Sequence, residues 1–272
     1  MRVIKVDLPK EHNEIILCPL FDLHIGEPAC DIEMVEREIE FIKNTPNAYA
    51  IIGGDIMDNT TKNSIGDVYR AKLTPQQQLE QIVGYLKPIK DKILAMVSGN
   101  HEERTWRESG IDLLGCVAMQ LGIEDRYAEE GAVLFISFGV KRMQSNKMKG
   151  YSPLIYTVYL THGNGGGRKV GGKANRLYDI GDIVDCDCVV CGHTHEPICF
   201  KKTFFRTDRT QFTVCEKERL YVNTGSFLNY AKYAERKGYL PNAKVMPKIY
   251  LSTVYSTVKG KGVKHIVSQV IM

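Results

Sequence analysis

EIILCPLFDLH, the stretch from Glu14 to His24, is a short apolar run that closes on an aspartate and a histidine two residues apart. The pattern returns in AYAIIGGDIMD, from Ala48 to Asp58, and in ILAMVSGNHE, from Ile93 to Glu102. Apolar runs of this length, bounded by turn residues, predict buried strands over Glu14–Leu20, Ala48–Ile52 and Ile93–Val97. Between them, the amphipathic segment Asp31–Lys43 predicts a helix, and Pro75–Leu86 predicts a second, with Thr74 as its cap and Pro75 in the first turn. Strand and helix in alternation predict βαβ units and a largely buried sheet. Residues 59–73 read as a loop.

Beyond this core the chain grows richer in β-branched and aromatic residues. Runs at 133–140, 154–160, 188–191, 198–207, 211–215 and 219–222 predict strands, as do 247–257 and 263–271 around a turn at Lys259–Gly262. The expectation is α/β: one domain over residues 1–272, two packed mixed β-sheets flanked by helices, β-rich from about residue 198. A hydrophobic share of 43% and a charged share of 25% exclude a disordered or fibrous chain, and a net charge of +4 sets up no single-signed field. The charged start MRVIKVDLPKEHNE lacks the apolar stretch of an export signal, and no run approaches the roughly 18 apolar residues that cross a bilayer. These features predict a soluble cytoplasmic protein with no membrane partner, its eight cysteines reduced.

Chemistry gathers in five motifs: Asp22-Leu23-His24, Gly54-Asp55-Ile56-Met57-Asp58, Gly99-Asn100-His101-Glu102, Thr161-His162-Gly163 and Gly192-His193-Thr194-His195. Five of the seven histidines lie inside them. Each motif follows a predicted strand, and the ends of neighbouring strands form the edge where open α/β sheets bind ligands. The glycines allow the sharp turns that aim the next side chain inward.

In this order the five blocks resemble the calcineurin-like metallophosphoesterase family, whose pattern is D-x-H, G-D-x-x-D, G-N-H-[DE], a lone histidine and G-H-x-H. Asn223-Thr224-Gly225-Ser226 resembles the N-x-G-S turn that often follows, so the likeness spans Leu17 to Ser226. The resemblance implies a four-layer α/β/β/α sandwich and two divalent metal ions bridged by Asp55. It gives one ion to Asp22, His24 and His195, and the other to Asn100, His162 and His193. A mixed carboxylate, imidazole and amide set suits a transition metal, Mn in the first place with Fe, Zn or Ni fitting too, better than it suits Ca. Two such ions supply a bridging hydroxide and clamp the phosphoryl oxygens, which is the chemistry of a phosphoester hydrolase. His101 is implied as the catalytic residue that protonates the leaving alkoxide or stabilises the transition state. Asp58 is implied as its orienting partner, bonding the other ring nitrogen and raising its pKa.

For the substrate, the glycine-rich stretch after His162, with Arg168 and Lys169, and the cluster Arg104, Trp106 and Arg107 favour phosphodiester bonds of DNA, RNA or a nucleotide, and so a nuclease or phosphodiesterase. Trp106 reads equally as a packed aromatic. A phosphomonoesterase acting on nucleotides or phosphoproteins is the alternative, favoured if the 59–73 loop closes the site. From another class stands a non-catalytic metal-binding scaffold, against which the chain keeps His101 and every ligand. Cys186, Cys188 and Cys191 lack a fourth thiolate for zinc and read as buried thiols, while Lys201, Lys202, Arg206 and Arg209 read as a solvated face. The native metal and the oligomeric state stay open.

Overall fold

The computed structural model describes residues 1–62, 64, 69, 71–141, 151–210, 212–230, 235, 238, 240–241, 243–256 and 261–270. Gln211, Lys259, Gly260, Ile271 and part of the 59–73 loop lie outside this set. The first half holds β1 (Arg2–Asp7), β2 (Glu14–Leu20), α1 (Ile32–Asn44), β3 (Ala48–Ile52), α2 (Pro75–Leu86), β4 (Ile93–Val97), α3 (Asn100–Ser109), α4 (Leu113–Leu121) and β5 (Tyr127–Ala128). The second holds β6 (Gly131–Lys141), β7 (Tyr151–Thr161), α5 (Val170–Gly181), β8 (Cys188–Cys191), β9 (Ile198–Asp208), β10 (Thr213–Asn223), β11 (Pro247–Ser256) and β12 (Lys261–Val270). One sheet runs β12-β11-β2-β3-β4-β5, the other β1-β6-β7-β8-β10-β9. Both are mixed: β2 to β5 are parallel with β11 antiparallel to β2, and β8 is parallel to β7 and β10 while β9 is antiparallel to β10.

Alternation along the strands builds the layers. In β2, Ile15 and Leu17 enter the core between the sheets, where Leu134, Ile136, Tyr156 and Val158 meet them, while Ile16, Cys18 and Leu20 turn to the helices. Each fully buried Leu or Ile contributes about 1.5–3 kcal/mol. Helices α1, α2 and α4 cover one sheet through Val35, Ile82 and Val117, and α5 covers the other through Leu177 and Ile180. The architecture is the expected α/β/β/α sandwich. Local signals act as anticipated at α2, where Thr74 and Gln77 form a reciprocal capping box around Pro75.

Five elements differ from the sequence reading, the two-residue β5 among them. β1 and α4 were not anticipated, although Asp112, which caps α4 by accepting from Gly115 N–H, and Gly122 in left-handed conformation frame the apolar run between them. Residues 213–215 and 219–222 of the two predicted stretches fall in one strand, β10, because Glu216, Lys217 and Glu218 pair in register with Phe205, Phe204 and Thr203 of β9 on an exposed ribbon that needs no apolar alternation. The glycine-rich segment read as loop turns helical from Val170, since Leu177 and Ile180 anchor α5 to its sheet. Among the described residues no helix is long and apolar enough to cross a membrane.

Candidate metal centre

All five motifs sit at the carboxy-terminal ends of strands that face each other across the sandwich. Asp22 and His24 follow β2, Asp55 and Asp58 follow β3, and Asn100 and His101 open α3 after β4; His162 follows β7, and His193 and His195 follow β8. The backbone there is bent into the left-handed region at Asp22 (φ 52°), His24 (51°), Asp55 (49°), His193 (66°) and His195 (54°). Non-glycine residues hold such angles only where surrounding contacts impose them, and they concentrate at functional sites. Close approach explains two glycines. A Cβ on Gly99 would lie 2.3 Å from Asp55 Oδ1, and one on Gly192 would lie 2.4 Å from Asp22 Oδ2.

The side chains converge in two clusters, Asp22–His24–His195 and Asp55–His162–His193, each with one donor atom per residue within 4.8 Å of the others. In the first, His195 Nε2 lies 3.2 Å from Asp22 Oδ1 and 3.2 Å from His24 Nε2. In the second, His162 Nε2 lies 3.3 Å from Asp55 Oδ2 and 3.2 Å from His193 Nδ1, and Asn100 Oδ1 reaches both rings at 3.1 and 2.7 Å. A third group, His24, Asp58 and His101, borders the first.

Main-chain groups set the rings. His162 Nδ1–H donates to Gly53 O at 2.7 Å, which turns Nε2 toward Asp55. Glu102 is fully buried and its carboxylate accepts from the amides of Asp55, Ile56, Met57 and Gly99 at 2.9–3.1 Å, tying the β3 loop to the start of α3. Burial, with the Asp55 charge behind it, pushes Glu102 up to about 7. Burial holds His24, His101 and His193 below the usual histidine range. At His162 burial works the same way, but the Asp55 carboxylate overrides it and pushes the ring up to about 10. Asp55 itself, which burial alone would raise, is held well below the carboxylate range by His162 and His101.

The donor set fits a divalent cation. Asp22 Oδ1 is buried without any hydrogen-bond donor, which for an ionised carboxylate costs more than the roughly 1–3 kcal/mol of a neutral group. Its neighbours are imidazole nitrogens, and a cation would satisfy the oxygen and the lone pairs together.

The structure brings Asp22, His24, Asp55, Asn100, His162, His193, His195, His101 and Asp58 into one site, but the Asp58 contact differs from expectation. The Asp58 main-chain carbonyl, not its carboxylate, accepts from His101 Nδ1 at 2.6 Å; the carboxylate stands 3.7 Å away and accepts from the Thr60 hydroxyl. The expected rise in the His101 pKa is likewise reversed by burial. Of the substrate candidates, Arg104 reaches the site, donating to the same Asp58 carbonyl at 2.9 Å. Trp106 is 49% exposed, which overturns the packed reading. Arg107 pairs with Glu103 on the exposed face of α3, and Arg168 and Lys169 are exposed ahead of α5. The cysteines at 186, 188 and 191 are buried free thiols. Lys201, Lys202 and Arg206 form surface ion pairs with Glu218, Asp182 and Asp185.

Sequence reasoning assigned no role to Glu102, Asn59 or Gln78. Glu102 stood in a quoted motif; nothing local marks Gln78, whose partners lie in another loop.

An α/β/β/α sandwich with histidine and carboxylate loops at facing strand ends is the class that this fold and site define. The chain belongs to the calcineurin-like phosphoesterase family, whose model matches residues 22–197. That family is one of phosphoester hydrolases that typically bind divalent metals. No curated protein matches the chain in sequence. Similar solved structures include a conserved uncharacterized protein, a predicted phosphoesterase, from Streptococcus pneumoniae TIGR4, with 12% identity over 94% of this chain and 98% of that one at a TM-score of 0.37. A single mutant of Vps29 from Entamoeba histolytica shares 14% over 94% and 99% at 0.38. Wild-type Vps29 from the same organism, complexed with zinc, shares 12% over 93% and 99% at 0.37.

Proposed function

We propose that this chain is a metal-dependent phosphoester hydrolase with two divalent ions, Mn in the first place, acting on phosphodiester bonds of nucleic acid or a nucleotide in the cytoplasm. One observation carries the reading: Asp22, His24 and His195, and Asp55, Asn100, His162 and His193, face inward as two adjoining donor clusters, with an orphaned carboxylate oxygen in the first. When bound, the ions supply an activated water and charge compensation for the phosphoryl oxygens. Asp55, ionised and lying between His162 and His101, would serve both clusters. His101 Nδ1–H is held by the Asp58 carbonyl, so Nε2, 3.8 Å from Asp55 Oδ2, is the atom turned to the site; once the ring is protonated there as well, Nε2 gives that proton to the leaving oxygen and the ring is left neutral with Nδ1–H still on the carbonyl. Arg104 lies beside it for a substrate oxygen, and the half-exposed indole of Trp106 supports a base stacked along α3.

The test is Mn-supplemented turnover of bis-p-nitrophenyl phosphate and p-nitrophenyl phosphate by wild type and His101→Ala. The expected result is preference for the diester and a loss of about 10²–10⁴-fold in the variant, with bound metal unchanged. Preference for the monoester would redirect the search to nucleotides and phosphoproteins; silence on both with metal bound would favour the scaffold.

A further inference from the structure

Gln78 is a polar residue on the inner face of α2, where Leu79, Ile82 and Leu86 are its buried companions, and it is itself 1% exposed. An apolar side chain would sit there at lower cost unless both ends of the amide were used. They are. Nε2 donates to Leu73 O at 2.9 Å, and Oε1 accepts from Asn59 N–H at 2.9 Å. Gly26, at φ 106°, leaves room for the amide: a Cβ there would come within 2.4 Å of Gln78 Cδ and Nε2.

The Asn59 N–H belongs to the same peptide unit as the Asp58 carbonyl. In a trans peptide these two groups point in opposite directions. Gln78 therefore grips one edge of a plane whose other edge accepts from His101 Nδ1 at 2.6 Å. The same residue fixes His101 a second time, since Asn59 Nδ2 donates to His101 O at 2.6 Å while Thr105 Oγ1 holds Asn59 Oδ1 at 3.0 Å. Asn59 is completely buried at φ 43°, a conformation that needs such restraint.

We infer that Gln78 is a positioning residue for His101: by holding the Asp58–Asn59 peptide plane it keeps Nδ1–H on the Asp58 carbonyl and so aims Nε2, the nitrogen that gives up its proton from the protonated ring, at the leaving oxygen. This rests on the proposed role of His101 in phosphoester hydrolysis. Without Gln78 the plane is held only from its carbonyl edge, by Arg104 and His101 itself, and the acceptor that orients the ring is less firmly placed. A shift of about 1 Å in a reacting group costs on the order of 10²-fold.

The experiment uses diaryl phosphates whose leaving phenols grow progressively more basic, because losing a proton donor to the leaving oxygen steepens that dependence while bound Mn stays unchanged. Gln78→Met keeps the length of the side chain and removes both hydrogen bonds. Expected are a kcat about tenfold to a hundredfold lower on the most basic leaving group, little change on p-nitrophenol, KM within about twofold, and unaltered bound Mn. Gln78→Glu, which keeps an acceptor for Asn59 N–H, should restore most of the dependence. Thr105→Val loosens Asn59 without touching the core and should shift the slope the same way by less, which serves if Gln78→Met does not fold. A wild-type slope in Gln78→Met, or in Thr105→Val where that variant stands in, overturns the inference while His101→Ala still steepens it. A wild-type slope in His101→Ala instead overturns the reading of His101 on which the inference stands.

Discussion

The two donor clusters are built from the same residue types yet held differently. Around His162 both ring nitrogens are spoken for: Nδ1 is locked on the Gly53 carbonyl, and Nε2 sits among Asp55, Asn100 and His193. Around Asp22 the restraint is thinner, with Asp22 Oδ1 and His24 Nδ1 buried without hydrogen-bond partners and the His195 side chain 29% exposed. The difference teaches that one half is organised by the protein and the other depends on what occupies it.

The strongest blow to this asymmetry is Asp55→Asn, because Asp55 serves both halves. Turnover should fall by at least about 10³-fold, about 4 kcal/mol of barrier, and metal analysis should find both ions weakened. Loss of only one ion would show that the halves do not share Asp55. Single-cluster variants come next. His195→Ala and His162→Ala should each take bound metal from about two ions per chain to about one, with turnover down about 100-fold or more. Thermal melting separates them, since His162→Ala also gives up the bond to Gly53 and should lower Tm, while His195→Ala should leave it nearly unchanged. Equal Tm values would contradict the comparison. Glu102→Gln removes an acceptor under the shared residue rather than in either half. Chemical denaturation should show a loss of about 1–3 kcal/mol, and metal affinity should fall in both clusters alike. Outside both, Trp106→Ala should raise KM for a dinucleotide by about fivefold or more, the value of one stacked base, with kcat kept. Arg107→Ala, which breaks only an exposed pair with Glu103, should change activity less than about twofold.

The sequence made the candidate ligands legible because short motifs carry their own geometry: an apolar strand must end somewhere, and Asp22-Leu23-His24 or Gly192-His193-Thr194-His195 marks where. The same strands permitted two packed sheets, and the family resemblance of the motifs implied the four-layer sandwich. What was hidden lies in relations between segments. Gln78 is one glutamine among three neighbours in QQQ, and only packing of α2 shows that it alone turns inward to Asn59. Asp58 was assigned its carboxylate, the group a sequence displays, whereas the fold uses its carbonyl, which every residue has. The exposed first half of β10, Thr213 to Glu218, carried no periodicity to read, and the glycines at 171 and 172 masked a helix whose anchors come later in the chain.

The left-handed turns at Asp22, His24, Asp55, His193 and His195 have a practical consequence. Glycine would adopt every one of these angles more cheaply, so a library selected for heat resistance alone should drift toward glycine at these five positions and erase the site as it hardens the fold. Durability and chemistry pull on the same peptide bonds here, and any effort to toughen this protein has to leave those bends uncomfortable.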